Sequence, residues 1–584
     1  MKKWVLLLIL VGVIANILLV KGPFIWDDQF FVVDNPNIRQ VKVLDYFLKP
    51  HWLETGLAMG FKGFYRPLVS LSFALDYQIY GLNPHGFHFT NVIFHIGSSI
   101  LLFLILINMG LKEAESFFAA AIFSSAASLR EAVAWVSARG DVLSMFFILF
   151  SFYFVLKRKD IIAILIFPLA LFSKEMALAF PFFLMVYFYY RKDNIKRIFP
   201  FLILDVVFLI IRAHFTSSRI LSSYGFWTLV SRTIKAMGFY FVQGIFPFTG
   251  KVFLSPFKVY ENNIYYIPAL IFVFMVGAFF VRKREKIFLF AALAFVFLLP
   301  SLAVVWLEIP HTVAFRYGYI PAAFLVPITV LLLTSRPFIR KTLLPLFLIA
   351  SIANANIINL YWTRESLFWE KAHIDAPQDP YFAIRLAGKY IENNKIEKAG
   401  KLLSRYLSKP NTYTPVILHI LAILEEQKGN LKRAEALLRN AIIVGNQVEK
   451  WELKTYGELI YDLSSHYVVL SSILRKEGKI DEAERLMESG FKKYGGNKNY
   501  RDEMALVLSL NGKCERARSL AVDWKAAVEL VCKLWEKGDP YSRARLYIYR
   551  NQFEMAEKIC NSLKEEREKC LKELEKQRKK IRGR

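Results

Sequence analysis

Cysteine is scarce in this chain of 584 residues: there are four, Cys514, Cys532, Cys560 and Cys570, all close to the C-terminal end. No Cys/His spacing suited to structural zinc accompanies them, so no metal is expected. An even number permits disulfides in an oxidising compartment. A helical array does not need staples, however, and buried free thiols are the expectation. A glycine-rich loop for cradling phosphates is missing, as is an exposed-serine elbow. A nucleotide-sugar donor is therefore not indicated, and no bound cofactor is expected. Acidic residues are outnumbered, 49 against 76 Lys and Arg, for a formal charge of +27. No nucleic-acid motif goes with that surplus, so basic membrane anchors and an affinity for anionic lipid account for it and no nucleic-acid partner is expected. No small-residue cleavage site follows the first apolar run, which reads as a retained span.

What the chain has in abundance is apolar sequence, 55% of its residues, and this is concentrated before Tyr361. Apolar runs recur there between short charged knots, the pattern of helices that satisfy their own backbone in lipid. Spans are expected at 4–22, 92–110, 115–129, 141–156, 160–173, 175–190, 197–213, 264–281, 286–305, 316–334 and 341–359, eleven in all. With alternating topology the knots Lys2-Lys3, Lys157-Arg158-Lys159, Arg191-Lys192 with Lys196-Arg197, Arg282-Lys283-Arg284 with Lys286, and Arg336 with Arg340-Lys341 share one side, the cytoplasmic one by the positive-inside rule. A twelfth span at Ile234–Phe248 would break that pattern, so this stretch is expected to be re-entrant or interfacial. Sparse cysteine and the lack of a eukaryotic targeting signal lean towards a prokaryotic plasma membrane.

The opposite, outer face collects Asp27 and Asp28, Tyr65-Arg66, His85 and His88, Glu131, Arg139 and Asp141, Lys174-Glu175, Arg212 and His214, His311 and Arg316. Charges at a membrane boundary are costly unless they are paired or used. Two adjacent carboxylates beside Trp26 suit the deprotonation of an acceptor hydroxyl, or else cap the chain where it leaves the bilayer. Lys174 places a cation where a phosphate could be held, or forms a charge pair at a helical hairpin. The outer loop 21–91, with Gly63-Phe64-Tyr65-Arg66-Pro67-Leu68 and Asn83-Pro84-His85-Gly86-Phe87-His88, is long for a membrane connection, and loops of that kind tend to carry function.

Trp26-Asp27-Asp28, Tyr65-Arg66-Pro67-Leu68, Asn83-Pro84-His85-Gly86-Phe87-His88 with Asn91, Glu131-Ala132-Val133-Ala134-Trp135-Val136-Ser137-Ala138-Arg139-Gly140-Asp141, Ser173-Lys174-Glu175 and Phe315-Arg316-Tyr317-Gly318-Tyr319-Ile320-Pro321 follow one another in that order. The series resembles the membrane O-mannosyltransferases that carry tetratricopeptide repeats, within the C-type (GT-C) glycosyltransferases, over roughly residues 20–375. One departure is that Ser125-Ala126-Ala127-Ser128-Leu129-Arg130 stands where a His-Pro-x-His-like run would be expected. The resemblance implies a lipid-carried donor that approaches laterally from the bilayer.

Beyond Trp362 a repeated signature tests the resemblance separately: Asn394 with Ala399, Gly429 with Ala434, Gly478 with Ala483, Gly512 with Ala517, and Asn551 with Ala556. Each is a turn residue followed five positions later by a small one, at intervals that bracket the tetratricopeptide unit, with an insertion around Val444–Asp462. The fold class is thus all-α: a polytopic GT-C-type membrane domain (1–361, with the catalytic outer loop 21–91), a tetratricopeptide-like α-solenoid (362–563) and a charged helical tail (564–584).

The reading is an inverting glycosyltransferase that moves a sugar, most simply mannose, from a polyprenyl phosphate to a protein hydroxyl on the outer face. Asp27 is the expected general base and Asp28 its orienter or substitute. Arg139, Lys174 and Arg316 are candidates for holding the leaving phosphate. Tyr65, Arg66, His88, Glu131, Asp141 and Glu175 are candidates for contacting substrate. The expected partners are a lipid-linked sugar, membrane lipid and a protein acceptor gathered by the extracytoplasmic repeats. A transferase to a glycan or lipid acceptor, a lipid-linked-sugar transporter and a membrane scaffold are the alternatives.

Overall fold

The computed structural model describes residues 1–48, 64–216, 221–282, 285–307, 309, 311–334, 339–408, 411–456 and 462–582. Gly63, in the outer loop, and Arg336, in the last basic knot, lie outside the described residues. The chain is helical throughout and divides into two compact units, Met1–Phe382 and Ala383–Arg584. The first unit therefore runs past the expected boundary at 361. Trp362, Phe368 and Trp369 are each almost wholly buried and pack ring against ring, drawing the helix Glu365–Asp375 onto the membrane helices.

Among the described residues, eight helices are long and apolar enough to cross a membrane: Lys2–Lys21, Pro84–Asn108, Val136–Leu156, Ile195–Phe215, Asn263–Val281, Lys286–Trp306, Phe315–Leu333 and Lys341–Trp362. This makes the chain an integral membrane protein. Three of the eleven expected spans need correction. The one at 115–129 is a pair, Glu113–Ser125 and Ala127–Ala134, bent by 52°. The one at 160–173 is a helix of 12 residues, Asp160–Leu171, about 18 Å long and well short of a hydrocarbon core of about 30 Å. The one at 175–190 is a 3-10 helix, Glu175–Ala179, running straight into the helix Phe180–Arg191, roughly 28 Å together. They form a hairpin, short on its first arm, whose tip carries Lys174. The stretch expected to be re-entrant or interfacial lies, up to Ile245, in a continuous amphipathic helix, Phe226–Ile245, with Arg232 and Lys235 among its apolar residues.

The tip of the short hairpin can be levelled against its neighbour. Phe172 meets Phe208 at 6.0 Å between ring centroids, and the helix Phe199–Phe215 continues seven residues further, about 10 Å. Outer-loop residues fill that step. Tyr65 stacks on Phe215 at 4.9 Å, and Leu68 donates its backbone N–H to the Phe172 carbonyl at 3.2 Å.

The departure from the resembled pattern acquires a role here. Arg130, almost wholly buried, donates from Nε to the Ala126 carbonyl (3.0 Å), from Nη1 to the Ala15 carbonyl (3.3 Å) and the Asn16 amide oxygen, and from Nη2 to the Ser124 carbonyl (2.8 Å). Its four partners are carbonyl or amide oxygens at the C-terminal ends of the helices Lys2–Asn16 and Glu113–Ser125. Helix C-termini carry partial negative charge, so one guanidinium answers two helix ends at once. The acceptors keep other donors, Asn359 on the Ala15 carbonyl and Asn16 and His95 on the Ser124 carbonyl, so Arg130→Met should cost about 1–3 kcal/mol, through the loss of the buried charge-assisted bonds. Thermal unfolding of the detergent-purified variant checks this, and a midpoint equal to wild type would reject the role.

In the second unit the five anticipated turn residues all adopt positive φ: Asn394 (56°), Gly429 (82°), Gly478 (77°), Gly512 (77°) and Asn551 (57°). Each closes a hairpin, as between Thr414–Gln427 and Leu431–Tyr456 or between Ser464–Lys476 and Ile480–Tyr494. The backbone N–H after each turn residue bonds to a carbonyl five positions back, for example Lys479 to Leu474 at 2.8 Å, the wrap that ends a helix at a left-handed residue. Ala399, Ala434, Ala483, Ala517 and Ala556 are fully buried where paired helices touch. The expected insertion includes the lengthening of one helix to Tyr456, while its residues 457–461 lie outside the described residues. The tail forms the helix Arg567–Arg582, with Cys570 and Leu574 buried. The cysteines correct the expectation of free thiols: Cys514 pairs with Cys532 and Cys560 with Cys570, each bridge joining consecutive helices.

Candidate active site

The chain leaves its first span at Lys21 and is at once held by two histidines of the helix Pro84–Asn108. His85 donates from Nδ1 to the Val20 carbonyl (2.8 Å), and His88 donates from Nε2 to the Pro23 carbonyl (3.1 Å). Trp26 then takes a left-handed φ of 58°, which turns the chain so that Trp26 and Asp28 are buried while Asp27 between them stays partly exposed. Three donors fix the buried acid. One Asp28 oxygen accepts from the Ile25 N–H (3.0 Å), the other from the Ser137 N–H (2.8 Å) and hydroxyl (2.5 Å). Burial nevertheless pushes the Asp28 carboxyl up to about 7, against the pull of those hydrogen bonds. Asp28 is thus the strap between the entry loop and the segment 135–139, and Asp27 is the partly exposed carboxylate of the pair.

Beside this strap the indole of Trp26 stacks on that of Trp135, 4.9 Å apart and 20° from parallel. The guanidinium of Arg316 lies 5.1 Å over the Trp135 ring and forms an ion pair with Glu131. Arg316 also lies 4.8 Å over Tyr317, whose ring faces the Lys174 ammonium at 5.5 Å. Lys174 is bound by both oxygens of Asp141 at 2.6 Å. Next to it Arg66 forms a two-pronged pair with Glu175, at 2.8 and 3.1 Å. The approach of the hairpin tip to Asp141 depends on Gly140, because a Cβ there would stand 2.9 Å from the Ser173 carbonyl. Three cations and three carboxylates therefore meet at one place: Arg316 with Glu131, Lys174 with Asp141, and Arg66 with Glu175. Desolvation and the neighbouring Arg66 and Arg316 lower the Lys174 ammonium from its ordinary value, and Asp141 opposes this.

Three of the expected site residues are engaged by other parts of the protein. Arg139 is fully buried: it pairs with Asp76 (2.5 Å) and donates to Asn91 Oδ1 (2.7 Å) and the Phe87 carbonyl (2.7 Å). Its burial and its charge pair with Asp76 turn it inward, as a strut between the outer-loop helix Pro67–Tyr80 and the span beneath. His88 holds the Pro23 carbonyl and so positions the acid loop, not a substrate. Tyr65 is 5% exposed, with its hydroxyl on the Phe47 carbonyl at 2.9 Å and its ring on Phe215, so it seals the step above the hairpin tip. Glu131, Asp141, Arg66 and Glu175 do come together with Lys174 and Arg316. Sequence reasoning missed Ser137 and Tyr317, although Ser137 lies within the quoted run and Tyr317 directly follows Arg316.

Over 141 residues, 23% of the chain, the sequence is 35% identical to a mouse protein named protein O-mannosyl-transferase TMTC1, of which the match covers 14%. The chain is similar to the protein O-mannosyl-transferases. Human protein O-mannosyl-transferase TMTC4 is 30% identical over 146 residues, 20% of that protein. A Caenorhabditis elegans protein O-mannosyl-transferase, F38B6.6, is 25% identical over 181 residues, 30% of this chain and 26% of the relative. The matches thus span between about a seventh and a quarter of these relatives' lengths. No family model matches the chain. The similarity to O-mannosyl-transferases, the membrane helices and the helical repeats agree with the resemblance read from the motif series.

Proposed function

We propose that this membrane protein is a protein O-mannosyltransferase that takes mannose from a polyprenyl-phosphate donor and passes it to a protein hydroxyl on the extracytoplasmic face. The observation that carries the reading is a partly exposed Asp27, next to the buried strap at Asp28, in a loop whose Trp26 stacks on Trp135 beneath Arg316, the edge of the cation cluster with Lys174 and Arg66. In the reaction the acceptor oxygen attacks the anomeric carbon of the donor sugar and the bond from that carbon to the phosphate oxygen breaks. The acceptor proton passes to Asp27, and the bonding pair leaves with the polyprenyl phosphate, which gains one negative charge. Preorganised cations stabilise charge that develops in the transition state. Attack from the face opposite the phosphate inverts the anomeric configuration.

Two features support the extracytoplasmic side. Among the described residues the basic ones at Lys2-Lys3, Lys157-Arg158-Lys159, Arg191-Lys192 and Lys196-Arg197 lie at the helix ends away from the acidic loop, and all four cysteines are paired, as an oxidising compartment allows. The repeats are proposed to gather the acceptor polypeptide. Incubation of the purified protein with radiolabelled polyprenyl-phosphate sugars and a panel of protein, glycan and lipid acceptors tests the reading. Label from the mannosyl donor should appear on protein hydroxyls. Transfer only to glycan or lipid would replace the acceptor, and no transfer to any of them would favour transport or scaffolding.

A further inference from the structure

A left-handed backbone at Trp26 is unusual for a residue with a side chain, and such a conformation persists only where the surroundings over-determine it. The surroundings are rings from distant parts of the first unit. Besides the stack on Trp135, Trp26 meets Phe253 (5.7 Å), His311 (5.7 Å, edge on), Tyr381 (6.2 Å) and Phe382 (6.1 Å). Phe253 is central to this box, 5.1 Å from His311 and 4.4 Å from Phe382. It lies in a non-helical stretch that has no regular structure of its own to hold it and is stitched from outside. At one end Asn354 pairs with Thr249, accepting its N–H (3.0 Å) and donating to its carbonyl (2.9 Å). At the other end one carboxylate oxygen of the buried Asp375 accepts the backbone N–H groups of Val252 (2.8 Å) and Phe253 (3.4 Å). Lys371 holds the second oxygen at 2.5 Å, Lys258 donates to the Asp375 carbonyl at 2.6 Å, and Gln378 donates to the Ser255 hydroxyl at 2.6 Å.

We propose that Asp375 is a positioning residue for the sugar transfer: by fixing the backbone at Phe253 it holds the ring box closed around Trp26, and so sets where Asp27 stands. The proposal rests on the reading of Asp27 as the base. Residues 362–382 then belong to the catalytic machinery, because they supply both the clamp and two of the box's rings. Displacement of a reacting group by about 1 Å costs on the order of 100-fold in rate, so loosening the clamp should lower kcat while leaving the donor's own contacts in place.

The test uses the full-length protein labelled with 5-fluorotryptophan, the Trp26 fluorine resonance being assigned with Trp26→Phe. Asp375→Ala should shift or broaden that resonance and lower kcat roughly 10- to 100-fold, with the donor KM within about threefold of wild type. Asp375→Asn keeps an oxygen that accepts from Val252 and should restore most of both. Phe253→Leu leaves the clamp and removes the ring, and should move the resonance and kcat in the direction of Asp375→Ala even if that variant folds poorly. Asp27→Asn should lower turnover by roughly two to four decades with the Trp26 resonance moved less than in Asp375→Ala and not broadened. An unmoved resonance in both Asp375→Ala and Phe253→Leu overturns the proposal, whether or not activity falls, since any loss would then be one of general stability. A moved resonance with lowered kcat, together with an active Asp27→Asn, would retain the clamp and reject Asp27 as the base.

Discussion

Asp27→Asn should lose roughly two to four decades of turnover while folding as well as wild type, because the amide keeps the shape and removes the proton acceptor. The partial exposure of Asp27 predicts intact folding: the neighbouring Asp28, not Asp27, receives the Ile25 and Ser137 donors. Asp28→Asn should behave differently. Its new NH2 group must face either the Ile25 N–H or the two Ser137 donors, and a buried donor opposed to a donor costs about 1–3 kcal/mol. Single-turnover rates and thermal midpoints measured on both variants separate the two roles. A wild-type rate in Asp27→Asn rejects it as the base. A loss of rate confined to Asp28→Asn, at an unchanged midpoint, would transfer the role to Asp28.

Arg316 should show the second large effect. Its charge is set against Glu131, whose side chain is 2% exposed, so Arg316→Ala removes a cation from the proposed phosphate site and also strands a buried carboxylate. Breaking a buried pair in this way costs about 3–5 kcal/mol, and turnover should nearly vanish. The two consequences separate in the double variant Arg316→Ala with Glu131→Gln, which should regain most of the lost stability and none of the activity. Arg316→Lys keeps charge but not the planar guanidinium that meets Glu131 through Nη1 and lies over Trp135 and Tyr317, so it should be stable, with weakened donor affinity and rate. Equal donor affinity in the Lys, Ala and wild-type proteins would reduce Arg316 to a structural partner of Glu131.

Local requirements were legible in the sequence, and distant pairings were not. Asn394, Gly429, Gly478, Gly512 and Asn551 stand where φ is positive, and only residues tolerant of that conformation end a helix so cheaply. The alanines five positions on are buried because a helix pair must touch there. Arg139 was misread because what occupies it, Asp76, lies 63 positions earlier on another helix, and an arginine beside Gly140-Asp141 looks the same in sequence whether or not it has a partner. The cysteines were misread for a related reason. That the helix array needs no bridge says nothing about whether its packing brings two sulfurs together, as it does for Cys514 with Cys532. The hairpin around Lys174 shows the limit of span reading: its apolar runs are continuous with the charged tip, and only the folded chain shows that Ser173 and Lys174 turn before the first helix is long enough to cross.

That shortened hairpin has a consequence for the lipid environment. The charged cluster is tied to a ledge about 10 Å below the end of the helix Phe199–Phe215, and its depth is fixed by protein contacts, while the height of a donor's phosphate is fixed by the leaflet it floats in. For the proposed lipid-phosphate donor the two heights would agree only at one hydrocarbon thickness. In a thicker bilayer its phosphate would ride above the ledge and have to be drawn down through acyl chains, and each ångström of mismatch costs a fraction of a kcal/mol. Acyl-chain length would then act on this protein as a rheostat of sugar transfer, and sorting into thinner or thicker membranes would turn its activity up or down without any change in the chain itself.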